Sequence, residues 1–340
     1  MSDFKQYFSK RSLVTAVEQW KAPQTFFLDS FFREVKEWST RFVEINFYDE
    51  KRRIAPFITR SGSGQFVEKQ GYSKFIYEPP YTKPKANIEP NDLQEALIDE
   101  TIYDDGTSIE RLRNVLLKTL DDMITRREEL MAIQTVFNKT VQILNENGTQ
   151  IQDSITYSRE SELEFNAADW TSASINPLDD FRTAKRLIGK HTGLTADIAI
   201  HGSTNAAAFI NNAKILGMLT APNVNIGQLQ ETARAFGVNY LGTFQGIDHF
   251  SYDAYYFDPV TGTETAMVPA TKTVLGSRMS RGIRHYGAIE TLNPPFTKAR
   301  RFPKFYYEEN QDPEVMGIQV HSAPLPAMHQ PNAFAVLTLA

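Results

Sequence analysis

From Ile109 to Phe137 neither glycine nor proline breaks the chain, and apolar residues recur near helical spacing: Leu112, Val115, Leu116, Leu120, Met123, Ile124, Leu130, Ile133, Val136 and Phe137. Arg113, Lys118, Asp121, Arg126, Arg127 and Glu128 fill positions between them. Ahead of the run, Thr107-Ser108-Ile109-Glu110 fits a capping box, in which the Thr107 hydroxyl and Glu110 carboxylate satisfy free backbone donors at a helix start. The expectation is a helix over 108–138. About 30 residues at 1.5 Å each span roughly 45 Å, well above the usual three turns. The apolar positions drift between Leu116 and Leu130 and keep no strict heptads, so the rod reads as a spine lying across strands and not as part of a coiled coil.

Two segments before the spine ask for partners. Between Pro23 and Val35, the residues Phe27, Leu28, Phe31, Phe32 and Val35 form one apolar stripe of a short helix. Two readings stay open: packing into the chain's own core, or an arm docked on a neighbouring subunit. Val43, Ile45 and Phe47 alternate with Glu44, Asn46 and Tyr48, the period-2 pattern of a half-buried strand. Strand character resumes at Phe75, Ile76 and Tyr77, after a Ser61-Gly62-Ser63-Gly64 turn that lacks the Lys-Ser/Thr ending of a phosphate-binding loop. The stretch 45–85 therefore reads as a long two-stranded hairpin. Such a hairpin is marginal alone, because ordering each residue costs roughly 1–2 kcal/mol of backbone entropy. Lys51, Arg52, Arg53, Arg60, Lys69 and Lys74 make it basic, which suits either a carboxylate-bearing neighbour or a solvated charged loop.

After the spine, Val141 to Leu144 and Thr149 to Tyr157 flank an Asn147-Gly148 turn and read as a second hairpin. From about 177 the texture changes to short alternating helices and strands: Leu178 to Ile188, Ile198 to Ile200, Ala206 to Leu219, Ile226 to Phe236, then strands near Val238 and from Phe250 to Phe257. This is an α/β lobe of about 110 residues, an estimate within ordinary domain size.

Composition excludes several classes of chemistry. With no cysteine there is no disulfide, thiolate metal site or Cys nucleophile. The first twenty residues mix charges through every apolar run, so no secretory segment or membrane span is expected, and the default is synthesis in a reducing cytoplasm. A net charge of −5 offers no broad basic field for nucleic acid.

His191, His201, His249, His285, His321 and His329 are scattered without metal-ligand spacing, so no metal or cofactor is expected. His201-Gly202-Ser203 lacks a nucleophile elbow and falls where a helix N-cap is expected. Asp104-Asp105-Gly106 lacks the register of a calcium loop and reads as turn chemistry. Arg281-Gly282-Ile283-Arg284-His285-Tyr286-Gly287 is the densest basic and aromatic cluster, readable as a salt-bridged strand edge or as interface anchors.

Several landmarks occur in a shared order along the chain. They are Phe27-Leu28 with Phe31-Phe32-Arg33-Glu34, Tyr81-Thr82-Lys83-Pro84-Lys85, Val274-Leu275-Gly276, and the Arg281 to Gly287 cluster. Arg301-Phe302-Pro303-Lys304, Asp312-Pro313, Ser322-Ala323-Pro324-Leu325 and Leu339-Ala340 follow. This order resembles the lambda-like phage major capsid protein E family; between about 140 and 270 only length and texture carry the likeness.

The resemblance implies an α+β chain with the Hong Kong 97 type phage capsid fold. Its parts would be an N-terminal arm at 1–40, an E-loop hairpin at 41–86, a P domain at 87–175 containing the spine helix, an A domain at 176–290, and a return to the P domain at 291–340. It implies a non-enzymatic shell subunit that forms hexamers and pentamers with itself, meets portal, scaffold and a decoration protein, and encloses DNA without reading its sequence. No membrane is involved, and the expected location is the virion capsid, assembled in the host cytoplasm.

Proposed intersubunit contacts on this basis are Phe27, Phe31, Phe32, Arg52, Arg53, Arg60, Lys69, Tyr81, Lys83, Arg281, Arg284 and Tyr286. Relatives of this fold include Lys-Asn crosslinkers, but no acceptor and catalytic carboxylate accompany Lys69, so no crosslink is expected. An encapsulin-like nanocompartment is the alternative, distinguished by enzyme cargo in place of DNA. A hydrolase is the remote one, distinguished by activity of soluble subunits.

Overall fold

The computed structural model describes residues 25–48, 72–88, 105–144, 151–220, 227–235, 237–258, 261–292, 297–308 and 315–339, with the single positions 55, 57 and 63. A short helix, α1 (Phe26–Phe31), leads into strand β1 (Glu34–Glu37). Phe27, Leu28, Phe31 and Phe32 are each at most 2% exposed. Phe27 packs on Phe137 and Tyr252 with ring centroids 5.9 Å apart in both pairs, and Phe31 meets Phe334 edge-on at 4.9 Å. The stripe is therefore core of its own subunit. That corrects the placing of Phe27, Phe31 and Phe32 at an intersubunit contact, because apolar area already removed from water offers a neighbour nothing further to bury. Val35 leaves the stripe altogether and is exposed in β1.

Strands β2 (Val43–Tyr48) and β3 (Tyr72–Tyr77) pair antiparallel from Val43↔Tyr77 to Tyr48↔Tyr72, as the alternation predicts. Val43 and Ile45 are buried against Met131, Val141, Tyr157 and Leu325. Phe75 and Ile76, 42% and 62% exposed, show that the hairpin keeps apolar surface in solvent. Arg52, Arg53, Arg60 and Lys69, with Lys51, lie outside the described residues.

Next come β4 (Lys85–Ile88) and the spine, α2 (Asp105–Asn138). The spine starts at Asp105, so Thr107 lies within the helix and does not cap it, and Asp105-Gly106 is helical instead of a turn. Its 34 residues make a rod about 50 Å long. Three of the four apolar clusters among the described residues include it: Leu117, Leu120 and Ile124 in one, Met131 in a second, and Leu130, Ile133, Val136 and Phe137 in a third. Strands β5 (Thr140–Leu144) and β6 (Ile151–Thr156) form the second hairpin antiparallel, with the Asn147-Gly148 turn outside the described residues.

After β7 (Glu164–Ala167), helix α3 (Pro177–Thr192) has local signals at both ends. The Asn176 side chain accepts from the Leu178 N–H, Pro177 opens the first turn, and Gly193 closes the helix with φ 75°. Strand β8 (Ile198–His201), helices α4 (Ser203–Asn211) and α5 (Ala213–Thr220), and strands β9 (Gly227–Ala235), β10 (Val238–Phe244) and β11 (Ile247–Tyr252) follow. Gly202 is the N-cap of α4 and Ser203 its first residue, within the His201-Gly202-Ser203 segment where a helix start is expected. A Cβ on Gly202 would overlap the Pro269 carbonyl oxygen, which leaves room only for glycine.

The chain continues through β12 (Tyr255–Asp258), β13 (Thr263–Ala266), β14 (Lys272–Gly276), β15 (Gly282–Tyr286), β16 (Phe302–Glu308), β17 (Val315–His321), β18 (Pro324–Met328) and β19 (Phe334–Leu339).

Seven strands form one mixed sheet in the order β7-β19-β14-β8-β11-β10-β9. Its period-2 alternation divides two cores: Ile198, Ile200, Val274 and Val336 face α1 and the end of α2, while Ala199, Leu275, Ala335 and Leu337 face α3, α4 and α5. Beside it lie the three-stranded sheets β1-β15-β18 and β16-β17-β4, the second lying on α2 through Ile318, Val320 and Ile88. At Gly282 the arm crosses β15 so closely that a Cβ would overlap the Phe31 carbonyl oxygen and crowd the Phe32 ring. Gly282→Ala is expected to cost about 1–3 kcal/mol, read as a lowered melting temperature.

Candidate assembly surface and the buried clamps behind it

The sheet β1-β15-β18 carries the Arg281 cluster. β15 is its central strand, hydrogen-bonded parallel to β1 and antiparallel to β18, so the cluster is not a strand edge. Alternation along β15 splits it. Arg281 is exposed, 3.7 Å from Glu34, and Arg284 is half-buried. Tyr286 is buried, with the guanidinium groups of Arg300 and Arg301 at 5.6 and 6.0 Å from its ring. Like the three phenylalanines, Tyr286 therefore belongs to the interior and not to a contact with a neighbour. Of the expected set, Tyr81, Lys83 and Arg281 are on the surface, with Tyr81 hydrogen-bonded to His321 at 2.6 Å.

A charged clamp ties this region to the spine. Asp121, Thr125 and Glu128 lie at i, i+4 and i+7, one stripe of α2. Arg301 enters that stripe from just before β16. Its Nε donates to Asp121 Oδ1 at 2.7 Å, Nη1 to Glu128 Oε1 at 2.6 Å and to Ser322 Oγ at 3.1 Å, and Nη2 to Thr125 Oγ1 at 3.3 Å. Burial opposes the guanidinium charge, but the Glu128 and Asp121 carboxylates outweigh it and hold Arg301 protonated above its ordinary range. Sequence reading named Asp121 and Glu128 only as polar positions and Arg301 only as a landmark. Nothing local signals a pairing across 180 residues.

The next residue on the helix, Glu129, clamps the arm. Its two carboxylate oxygens accept the N–H groups of Phe27 at 2.8 Å and Leu28 at 3.1 Å, in the first turn of α1. Burial pushes this carboxyl up to about 7, against those two N–H groups and the Tyr252 hydroxyl, which favour the charged form. The folded chain thus holds the proton more tightly than the unfolded chain, whose carboxyl titrates near 4.5.

The fold also pairs four histidines that sequence spacing left scattered. His201 Nε2 and His249 Nδ1 are 2.9 Å apart on neighbouring strands, enclosed by Trp170, Phe181, Phe209 and Phe244. Burial holds both well below the usual histidine range, His249 at about 3, so the pair is neutral. His285 accepts at Nδ1 from the Trp38 indole N–H, 3.0 Å, which places its proton on Nε2, facing His329 Nε2 at 3.3 Å. That tautomer leaves His285 no lone pair there for a metal. Among the described residues no three His, Asp or Glu side chains converge as a metal site.

A long helix beneath two small sheets, an exposed hairpin and a seven-stranded sheet between helical layers together define a phage capsid fold of the Hong Kong 97 type. The chain superposes with TM-score 0.72 on the crystal structure of a putative capsid protein from a prophage of E. coli CFT073, at 18% identity, covering 97% of this chain and 99% of that one. Residues 9–339 match the phage major capsid protein E family, and the chain belongs to it. It is 22% identical to the major capsid protein of Escherichia phage lambda over 98% of this chain and 99% of that protein. The SrpI encapsulin of Synechococcus elongatus PCC 7942 superposes less well, with TM-score 0.50 and 11% identity, over 96% of this chain and 94% of that one.

Two outcomes test the clamps. Arg301→Leu leaves the buried Glu128 with only Arg300, 3.8 Å away, and is expected to cost about 3 kcal/mol in denaturant unfolding, with Arg301→Lys recovering only part because a single ammonium cannot span the stripe. The Glu129 contribution is complete below about pH 4.5 and is lost as pH rises through about 7. Amide exchange at Phe27 and Leu28 is therefore expected to quicken between about pH 4.5 and 7 beyond its intrinsic rise, and Glu129→Gln to remove that excess.

Proposed function

We infer that this chain is the major capsid protein of a tailed phage, self-assembling into the icosahedral shell that encloses double-stranded DNA. The observation that carries the reading is the β2–β3 hairpin, which leaves Ile76 62% exposed and Phe75, stacked on Tyr77, 42% exposed although the chain has a core able to bury such residues. An apolar, extended hairpin is stabilised when a neighbour covers it, and a shell supplies that neighbour for every subunit. Closed shells use heterologous contacts at slightly different angles in hexamers and pentamers, which long hairpins and arms tolerate better than flat faces do. Family membership and the capsid fold support the same reading.

The role is structural, not catalytic. Arg52, Arg53, Arg60 and Lys69 in the basic stretch of the hairpin, with the surface residues Tyr81, Lys83 and Arg281 and the half-buried Arg284, are the proposed contacts between copies. Portal, scaffold and decoration proteins are proposed further partners, and the host cytoplasm the place of assembly. In domain terms the arm, E-loop, P domain and A domain take the boundaries given from sequence.

Electron microscopy of the expressed chain is expected to show icosahedral shells or hexameric capsomers. Deleting Ile54 to Tyr72 is expected to leave folded, unassembled subunits; normal-sized shells from that deletion overturn the role given to the hairpin. Boiling shells in detergent is expected to give one band near 38.6 kDa, the mass of the uncrosslinked chain.

A further inference from the structure

The sheet β16-β17-β4 has one face on the spine, through Ile318, Val320 and Ile88, and a second face on which Lys304, Lys85 and Asn87 are exposed while Phe302 and His321, at its end, are buried. The register aligns Lys304, Gln319 and Lys85 in one row, and Tyr306, Gly317 and Asn87 in the next. Period-2 alternation puts both rows on the outer face, with Lys83 beside them. Lys83, Lys85 and Lys304 are exposed, and none of them forms an ion pair among the described residues.

The neutral groups of this face have their acceptors occupied. Gln319 Oε1 is 3.1 Å from His321 Nε2, so that nitrogen carries the proton and Nδ1 accepts from the Tyr81 hydroxyl. Asn87 Oδ1 accepts from the Tyr306 hydroxyl. The amide NH2 groups of Gln319 and Asn87 then remain as donors alongside three ammonium groups. Burial, with Lys304 and Lys83 nearby, holds His321 at about 4, so the lysines alone supply the charge. The Lys304, Gln319 and Lys85 row, two rows from Glu308↔Val315, gathers donors and cations in a chain of net charge −5 and selects an anionic partner.

The chain contains such a partner in its own sequence. Residues 89–104 hold Glu89, Asp92, Glu95, Asp99, Glu100 and Asp104, with no Lys or Arg. In one subunit this segment joins Ile88, at the end of edge strand β4, to Asp105, the start of the helix that packs on the opposite, apolar face of the sheet. One end thus lies at the edge of the sheet and the other on the side away from the lysines. We propose that the outer face of the β16-β17-β4 sheet docks the acidic segment 89–104 of a second copy of this chain. The proposal rests on the shell-building reading above and assigns one of its contacts.

The test uses two full-length variants, Lys85→Glu/Lys304→Glu and Asp99→Lys/Glu100→Lys, each checked for a wild-type circular dichroism spectrum and thermal melt before assembly is scored. Each alone is expected to give about tenfold fewer particles by sedimentation and electron microscopy. Mixing the two is expected to restore particles that contain both chains, because each reversed surface then meets its complement on another subunit. Combining all four changes in one chain is expected to restore them as well.

Particle yield equal to wild type from either variant overturns the proposal, as does failure of the mixture to assemble. Restoration only in the four-change chain places the contact within one subunit and overturns it too. If Lys85→Glu/Lys304→Glu assembles normally but loses binding to short duplex DNA, the face serves nucleic acid instead. Failure of the wild-type chain to form shells is a separate result, directed at the proposed function and not at this contact.

Discussion

A helix of 34 residues with apolar side chains on several sides cannot be satisfied by one sheet, and the rest of the chain is arranged around that constraint. The first half of α2 lies under β16-β17-β4 through Leu117, Leu120 and Ile124. The second half turns Met131 towards the hairpins and Ile133, Val136 and Phe137 towards the seven-stranded sheet and α1. No other described element contributes to three cores. A rigid rod fixes the relative positions of those cores over about 50 Å, which a set of short helices joined by loops does not do.

Buried charge is concentrated on the same rod. Asp121, Glu128 and Glu129 are all buried, and carboxylates out of water need partners to offset their desolvation. Arg301 serves the first two, and the backbone N–H groups of Phe27 and Leu28 serve the third. Both clamps recruit segments remote in sequence, one from the arm and one from the return strands. They give directionality that apolar packing lacks: Leu and Phe contacts tolerate rotation of the helix, whereas a guanidinium fork and two convergent N–H groups do not.

The legible parts of this fold were those written in local periodicity. The spine, both hairpins and the helix at Leu178 to Ile188 follow from apolar spacing and Asn-Gly, while the Asn176 and Gly193 ends of α3 went unread. Periodicity could not say against what an apolar stripe packs. Phe27, Phe31 and Phe32 satisfy the same pattern whether a neighbour or the chain's own Phe137 and Phe334 receive them. The start of α2 at Asp105 likewise escaped the Thr107 signal, because a capping box is a preference and not a stop. Partners 180 residues apart, as Arg301 and Asp121 are, or histidines paired across strands 48 residues apart, leave no local trace.

What the interior consumes decides what is left for assembly. Phe27, Phe31, Phe32 and Tyr286 are used up inside the subunit, and the neutral His201–His249 pair sits in an aromatic enclosure with nothing to offer outward. The surface keeps a different kind of group: apolar side chains on the β2–β3 hairpin, and exposed lysines on the outer sheet face that form no ion pair among the described residues. Apolar area binds without direction, while sparse charge of one sign binds only where the opposite sign is presented. A subunit that must meet several copies of itself at differing angles gains from separating the two, because the hairpin can supply adaptable contact while the charged face restricts which surfaces come together.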